Sequence, residues 1–111
     1  RSPWYGVYPD LGNLTAWGND VDEELEKGIH STVAVHCKET LAVESDFPGK
    51  FKCVQFGTGC VDFVAAFRKL AQLGYTGPFM VEMWADPATD AMAEVRKAKR
   101  FLEEKFEESR K

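Results

Sequence analysis

Short apolar runs at three places along the chain predict buried β-strands, at residues 4–8, 32–35 and 79–83. Between and after these runs, apolar residues recur at helical spacing instead. The predicted elements therefore alternate between strand and helix. This order is typical of a parallel sheet covered by helices, with right-handed crossover connections.

The first two predicted helices have recognisable ends. A capping-box pattern begins one of them at Asp20, and the helix runs through Lys27 to Gly28, which we expect to close it in the left-handed conformation. The other covers residues 60–73 and ends before Gly74. Each strand is thus followed by a helix that can return the chain to the same edge of the sheet.

The last predicted helix begins at Asp86, which suits an N-cap, followed by Pro87 at the first helical position. Its charge-rich end, residues 103–111, is expected to be solvated and frayed. One stripe of apolar residues would cover one side of a sheet; it consists of Ala91, Val95, Ala98, Leu102 and Phe106.

The length of the chain separates the candidate architectures. A complete (β/α)8 barrel uses about 250 residues, or about 31 per unit, so 111 residues correspond to three or four units. A free three-stranded parallel sheet would leave two edges unpaired and one face uncovered. We therefore expect residues 1–111 to form one partial TIM barrel, completed by a missing portion or by another chain.

Composition and charge exclude several classes of protein. The net charge of -4 argues against a nucleic-acid partner, and no apolar stretch approaches the roughly 20 residues of a membrane helix. The N-terminus lacks a signal-peptide pattern, so a cytoplasmic protein is expected. Cys37, Cys53 and Cys60 match no common zinc module and are expected to be reduced thiols.

Polar residues stand near the end of each predicted strand. They are Asp10, His36 and Glu82, and they should meet at one rim because parallel strands end on the same side. Two carboxylates and one imidazole suggest a divalent metal site. Other interpretations stay open, since a carboxylate at a strand end often caps a helix and a lone histidine often belongs to a core.

Five sequence blocks, in the same order, resemble the bacterial L-ribulose-5-phosphate 3-epimerases, also described as L-xylulose-5-phosphate 3-epimerases or hexulose-6-phosphate isomerases. The resemblance covers nearly the whole chain. The blocks are YPDLGNL, AWGNDV, VHCKET, FGTGCVDFV and VEMW, which begin at residues 8, 16, 35, 56 and 81.

The resemblance implies a (β/α)8 barrel similar to that of xylose isomerases, with a Mn, Zn, Co or Mg ion held by Glu, Asp, His and Glu on the last four strands. Asp10, His36 and Glu82 match the last three of these ligands. The first glutamate would precede Trp4 and has no match. The chain would thus be the last three strand-helix units of the barrel, and inactive alone.

The implied reaction is epimerisation of a ketopentose phosphate at carbon 3 through an enediolate, in pentose or ascorbate catabolism, with Glu82 as one of two acid/base groups. Two alternatives remain open: a related sugar isomerase or epimerase on the same scaffold, and a catalytically inactive metal-binding fragment. The implied partners are the sugar phosphate and the missing N-terminal barrel portion or another chain, and a homo-oligomer is left open.

Five further residues are candidates for contacting substrate. Lys38 and Glu39 could reach hydroxyl or phosphate groups, or simply lie on a solvated surface. Gly57 and Gly59, within the long loop of residues 41–59, could cradle a phosphate before the following helix or form a tight turn. Trp84 could line the pocket, or it could pack in the barrel.

Overall fold

A computed structural model describes residues 4–111 of the chain. Strands alternate with helices in the expected order, although both strands are short. Within the described range, no helix is long and apolar enough to cross a membrane. The elements are α1 (Leu11–Ala16), α2 (Val21–Gly28) with a 3-10 turn after it (Ile29–Ser31), β1 (Val35–Cys37), α3 (Phe63–Gln72), β2 (Phe79–Val81) and α4 (Ala91–Ser109).

Strands β1 and β2 pair in parallel along their full length. The predicted first strand runs along the other edge of β1, but it makes two separate parallel bridges, Val7 with Thr32 and Asp10 with His36. Pro9 lies between these bridges and has no N–H to donate to a ladder. Its carbonyl instead accepts the N–H of His36 at 2.8 Å. Three parallel segments therefore lie side by side, with β1 in the middle.

Helices cover one face of this sheet. Val35 and Cys37 of β1 are completely buried there, while His36 between them lies on the other face. Met80 of β2 shares the side of His36 and is 54% exposed. The period of two in a strand separates these sets of side chains. The buried core consists of Leu11, Leu25, Val35, Cys37, Phe63, Ala66, Phe67, Leu70 and Leu102.

Two helix ends follow the sequence closely, and one differs. The Asp20 side chain caps α2, and Gly74, with φ of 78°, follows α3 as a left-handed residue. Gly28, in contrast, has φ of -100°, so the expected left-handed closure is wrong and the chain continues into the 3-10 turn. Helix α3 begins at Phe63, after the capping carboxylate of Asp62.

The start and the end of α4 both correct the sequence interpretation. Asp86 and Pro87 belong to a turn, in which the Asp86 carboxylate accepts the N–H of Ala88 at 2.8 Å, and Asp90 is the N-cap. The charged end does not fray before Ser109. This residue is buried, and its carbonyl accepts a hydrogen bond from the side chain of Arg68 on α3. Packing against α3 accounts for the added helical length.

The long loop between β1 and α3 has an ordered structure. Leu41 and Lys50 exchange two backbone hydrogen bonds, of 2.9 and 3.1 Å, and enclose an exposed hairpin. Further along, the ring of Phe56 stacks on Phe63 of α3. The loop is thus attached to the helical layer, and its middle lies close to the ends of the strands.

Candidate metal centre

Asp10 joins the first parallel segment to helix α1. Its backbone is extended, and its Oδ1 accepts the N–H of Asn13 at 2.9 Å, which makes it the N-cap of α1. This helix is absent from the elements predicted from the sequence, although an aspartate three residues before a free N–H is the usual signal of a helix start. The helix-cap interpretation and the site interpretation are compatible, because the second oxygen, Oδ2, points to Lys38.

His36 lies in the middle of β1, on the face that the helices leave open. Its ring packs at 3.8 Å, centroid to centroid, from the ring of Tyr8. The Nδ1 atom is buried and has no hydrogen-bond partner among residues 4–111. It lies 3.0 Å from Oε1 of Glu82, a close contact that is not aligned as a hydrogen bond. A buried imidazole nitrogen of this kind is available to a cation.

Glu82 follows β2 immediately. Its N–H donates to the carbonyl of Cys37 at 3.0 Å, so the parallel pairing continues to the base of the side chain. The two carboxylate oxygens have different neighbours, because Oε1 faces His36 and Oε2 lies 3.1 Å from the ammonium of Lys38. The backbone ladder thus fixes where the carboxylate is presented.

Asp10, His36 and Glu82 therefore come together at one edge of the sheet. One ligand atom from each lies within 4.8 Å of the others. Two ligands on one ion, each at about 2.1 Å, are roughly 3 to 4 Å apart. The spacing, the unpartnered Nδ1 and the mixed oxygen and nitrogen donors fit a divalent cation after small side-chain adjustments.

Lys38 is the fourth member of the cluster. Its side chain is only 10% exposed, and its ammonium bridges Oε2 of Glu82 at 3.1 Å and Oδ2 of Asp10 at 3.4 Å. From the sequence, Lys38 is expected to contact substrate or solvent, and its bridging position between the two carboxylates is not predicted. The neighbouring positions of His36 and Lys38, on the same side of an extended chain, were the available signal.

Lys38 also affects the ionisation of Glu82. Burial alone raises the pKa of this carboxyl group, but the hydrogen bond and charge of Lys38, helped by His36, hold the pKa below its usual value. Glu82 is therefore a carboxylate at neutral pH. In that form it can bind a cation or accept a proton.

Glu39, Gly57 and Gly59 are not brought to this cluster. The buried carboxylate of Glu39 accepts the N–H groups of Gly57 at 2.9 Å and Val61 at 3.2 Å. A Cβ at Gly59 would collide with the carbonyl oxygen of Thr40 and with the same carboxylate. These contacts tie the long loop to the end of β1, and they occupy the Gly57 N–H that a phosphate would need.

Trp84 lies two residues beyond Glu82 and is half-exposed. The ammonium of Lys52, from the long loop, lies 4.4 Å from the centroid of its ring. Trp84 and several residues of the long loop, including Lys50, line a cavity of about 320 Å³. Thr89 also lines this cavity. This cavity adjoins the strand that carries Glu82.

Parallel strands that present two carboxylates and an imidazole at their carboxyl ends, with helices on one face, define part of a (β/α)8 barrel enzyme scaffold. The family comparison agrees with this class. The chain belongs to the xylose isomerase-like TIM barrel family, whose model matches residues 1–105. The fold class expected from the sequence is thereby confirmed.

Individual relatives cover the chain almost completely. UlaE of Escherichia coli O1:K1 / APEC, named L-ribulose-5-phosphate 3-epimerase, is 50% identical over 102 residues, which are 92% of this chain and 34% of UlaE. SgbU of Escherichia coli (strain K12) is 48% identical over 108 residues, which are 97% of this chain and 38% of SgbU. The chain thus spans only about a third of the length of these curated relatives.

Solved structures agree at the level of the fold. A structure of L-ribulose 3-epimerase superposes with a TM-score of 0.75 at 20% identity, over 98% of this chain and 38% of that chain. A structure of the IOLI protein with a bound zinc atom gives a TM-score of 0.70 at 16% identity, over 94% of this chain and 38% of that one.

Proposed function

We propose that the chain supplies part of the active site of a metal-dependent sugar-phosphate epimerase. The proposed reaction interconverts L-ribulose 5-phosphate and L-xylulose 5-phosphate by inversion at carbon 3. The observation that carries the proposal is the convergence of Asp10, His36 and Glu82 within 4.8 Å at the strand ends. The 50% identity to UlaE supports the choice of substrate.

The residues of the cluster have the chemistry that such a reaction needs. Asp10, His36 and Glu82 would hold the divalent ion, which could be Mn, Zn, Co or Mg. When bound, the ion would supply positive charge beside the ketone and lower the cost of the negative charge that develops there. The Tyr8 ring against the imidazole limits how far His36 can turn.

Inversion at carbon 3 requires a proton to leave on one face, which gives an enediolate, and another to arrive on the opposite face. Glu82 is a carboxylate at neutral pH and would move the proton on one of these faces. Lys38 holds Oε2 and thereby orients the carboxylate. The group on the opposite face would come from outside the residues described, from the glutamate that the family resemblance implies.

We further infer that residues 1–111 act as three strand-helix units of a larger barrel. The open face of the sheet, which carries His36 and Met80, would then be covered by the remainder of that barrel. The partners of the chain are this remainder and the sugar phosphate. On its own the chain has one of the two proton-transfer groups and should not invert carbon 3.

The decisive experiment uses the polypeptide as its gene encodes it, supplied with Mn²⁺ and L-ribulose 5-phosphate. Glu82→Gln should lower kcat by about 10³-fold or more, because the amide cannot accept the proton. His36→Ala should lower turnover and also weaken metal retention, measured as bound Mn²⁺ after dialysis.

Glu104→Gln, on the exposed side of α4, is the matched control and should leave both measurements unchanged. Unfolding curves must show that the variants remain folded. Normal turnover by Glu82→Gln would remove Glu82 from the mechanism. Normal metal retention by His36→Ala would remove the imidazole from the metal centre.

A further inference from the structure

The phosphate of a phosphorylated substrate is bound by Lys or Arg side chains or by backbone N–H groups that contact its oxygens. Of the lysines and arginines between residues 4 and 111, all lie on α2, α3, α4 or the chain end after α4, except Lys38, Lys50 and Lys52. Lys38 is buried against two carboxylates. The two loop lysines, Lys50 and Lys52, therefore remain as the cations that lie outside the helices and are free of the carboxylate cluster.

Both loop lysines lie close to Trp84. Lys50 lines the cavity, and the ammonium of Lys52 lies 4.4 Å from the indole centroid. Neither forms an ion pair with another residue of the described chain. Both are exposed, so their charge is available to an anion that enters the cavity.

The acidic residues of the cavity have other partners. The Asp86 carboxylate accepts the N–H of Ala88 at 2.8 Å, and Glu94 pairs with Lys97 at 3.5 Å. These contacts direct the two negative groups into the turn before α4 and along that helix. The three nearby lysines, Lys50, Lys52 and Lys97, outnumber these two carboxylates by one charge, so a small positive excess remains beside the indole ring.

The position of the cavity suits a phosphate carried two carbons away from the reacting centre. Trp84 follows Glu82 by two residues, and two residues of chain span at most about 7 Å. In a ketopentose 5-phosphate, carbon 5 is two bonds from carbon 3. When Glu82 acts at carbon 3, the phosphate at the other end of the sugar can therefore lie beside Trp84.

The loop presents Lys52 from a fixed backbone. The paired Leu41 and Lys50 precede it, and Phe56, stacked on Phe63, follows it. Cys53, directly after Lys52, has φ of 57°, in the left-handed region that side chains other than glycine rarely adopt. Such conformations persist where surrounding contacts impose them, and they cluster at ligand sites.

We propose that Lys52, with Lys50 and the indole of Trp84, forms the subsite for the phosphate group of the substrate. The indole holds the ammonium of Lys52 over its face, and that ammonium donates hydrogen bonds to the phosphate oxygens when the substrate is bound. This subsite rests on the proposed function for its substrate class. It gives the long loop a role in selecting phosphorylated over unphosphorylated sugars.

The kinetic test compares L-ribulose 5-phosphate with unphosphorylated L-ribulose, in the polypeptide as its gene encodes it. Lys52→Met should lower kcat/KM for the phosphate ester by about 10- to 100-fold, mainly through KM, since one charge-assisted hydrogen bond is lost. It should leave kcat/KM for L-ribulose unchanged. Lys52→Arg should recover most of the lost kcat/KM. Lys99→Met on α4 should leave kcat/KM unchanged for both substrates.

A binding test makes the subsite independent of turnover. In phosphorus NMR spectra, the resonance of inorganic phosphate should broaden when the wild-type protein is added, and it should broaden much less with Lys52→Met. The subsite would be overturned if Lys52→Met lost kcat/KM equally for both sugars or kept normal kinetics for the phosphate ester. It would also be overturned if Lys52→Met bound inorganic phosphate as well as the wild type does. If the wild type binds phosphate through Lys52 but epimerises neither sugar, the subsite stands and the proposed function fails.

Discussion

The two faces of the short sheet differ sharply, although the same strands build both. Val35 and Cys37 point into the helical layer and are fully buried, whereas His36 between them lies on the open face with its Nδ1 unpartnered within the described chain. The two-residue period of a strand thus places alternate residues in the hydrophobic core and in the candidate metal centre. Substitutions on the two faces should therefore affect different measurements.

Contacts on the packed face are almost entirely aromatic and aliphatic. Phe67 meets Phe79 and Phe106 edge to face, at centroid distances of 5.1 and 5.5 Å. On the open face the close contacts join charged groups, above all Lys38 and Glu82. The first kind of contact stabilises the fold without regard to pH, while the second depends on protonation.

The largest effect should come from the packed face. Phe67→Ala removes a buried ring and should lower the free energy of unfolding by about 3–5 kcal/mol, measured by urea titration. Val95→Ala, at a partly exposed position of α4, should cost less than about 1 kcal/mol. Equal losses from the two variants would show that burial of the Phe67 ring does not set the stability of the packed face.

A smaller loss of stability is expected on the open face. Lys38→Met leaves the carboxylates of Asp10 and Glu82 without their shared cation and should cost about 1–3 kcal/mol in metal-free protein at neutral pH. The carboxylates are partly exposed, which keeps the loss below that of a fully buried pair. Metal-free protein is needed because a bound ion would replace the missing charge.

The loss from Lys38→Met should depend on pH in a defined direction. The pKa of Glu82 is lowered in the folded protein, so its stabilising contribution is present above the usual carboxyl pKa and disappears as the pH falls through the folded value. The gap between wild type and Lys38→Met should therefore narrow on acidification. A gap that widened instead would assign the effect to packing of the lysine stem.

The last prediction concerns the chemical labelling of cysteines in the unmodified sequence, and it has the smallest expected effect on the protein. Burial, with the nearby charge of Asp10, raises the pKa of the Cys37 thiol to about 12, while Cys53 and Cys60 are exposed. Iodoacetamide at pH 8 should modify Cys53 and Cys60 in the native protein and Cys37 only after unfolding, as mapped by peptide mass spectrometry. Comparable labelling of all three would show that the face opens.

Sequence reasoning reached the parallel order and the meeting of Asp10, His36 and Glu82, because strand ends follow from short apolar runs. It missed α1, whose six residues include Gly12, Asn13 and Thr15, all weak helix formers. Contacts distant in sequence stabilise that helix. The hydroxyl of Thr40, for example, donates to the carbonyl of Gly12 at 2.9 Å.

Two other differences have the same kind of origin. Asp86 and Asp90 both suit an N-cap, and the turn between them, which local propensity does not reveal, selects the second. Lys38 and Glu39 are adjacent and charged, yet Lys38 points to the carboxylates of the candidate metal centre and Glu39 points into the long loop. The strand alternation accounts for both directions, but β1 ends at Cys37 and the sequence does not show that the chain stays extended beyond it.

The buried Glu39 carboxylate has a consequence for how such a chain can diversify. Its hydrogen bond with the N–H of Gly57 joins the two ends of the long loop that follows β1. The bridge between Leu41 and Lys50 joins the loop a second time, closer to its exposed tip. Lengthening or trimming the exposed hairpin tip is thereby insulated from the strand ends. The tip can accumulate insertions while the geometry of Asp10, His36 and Glu82 at the strand ends stays constant.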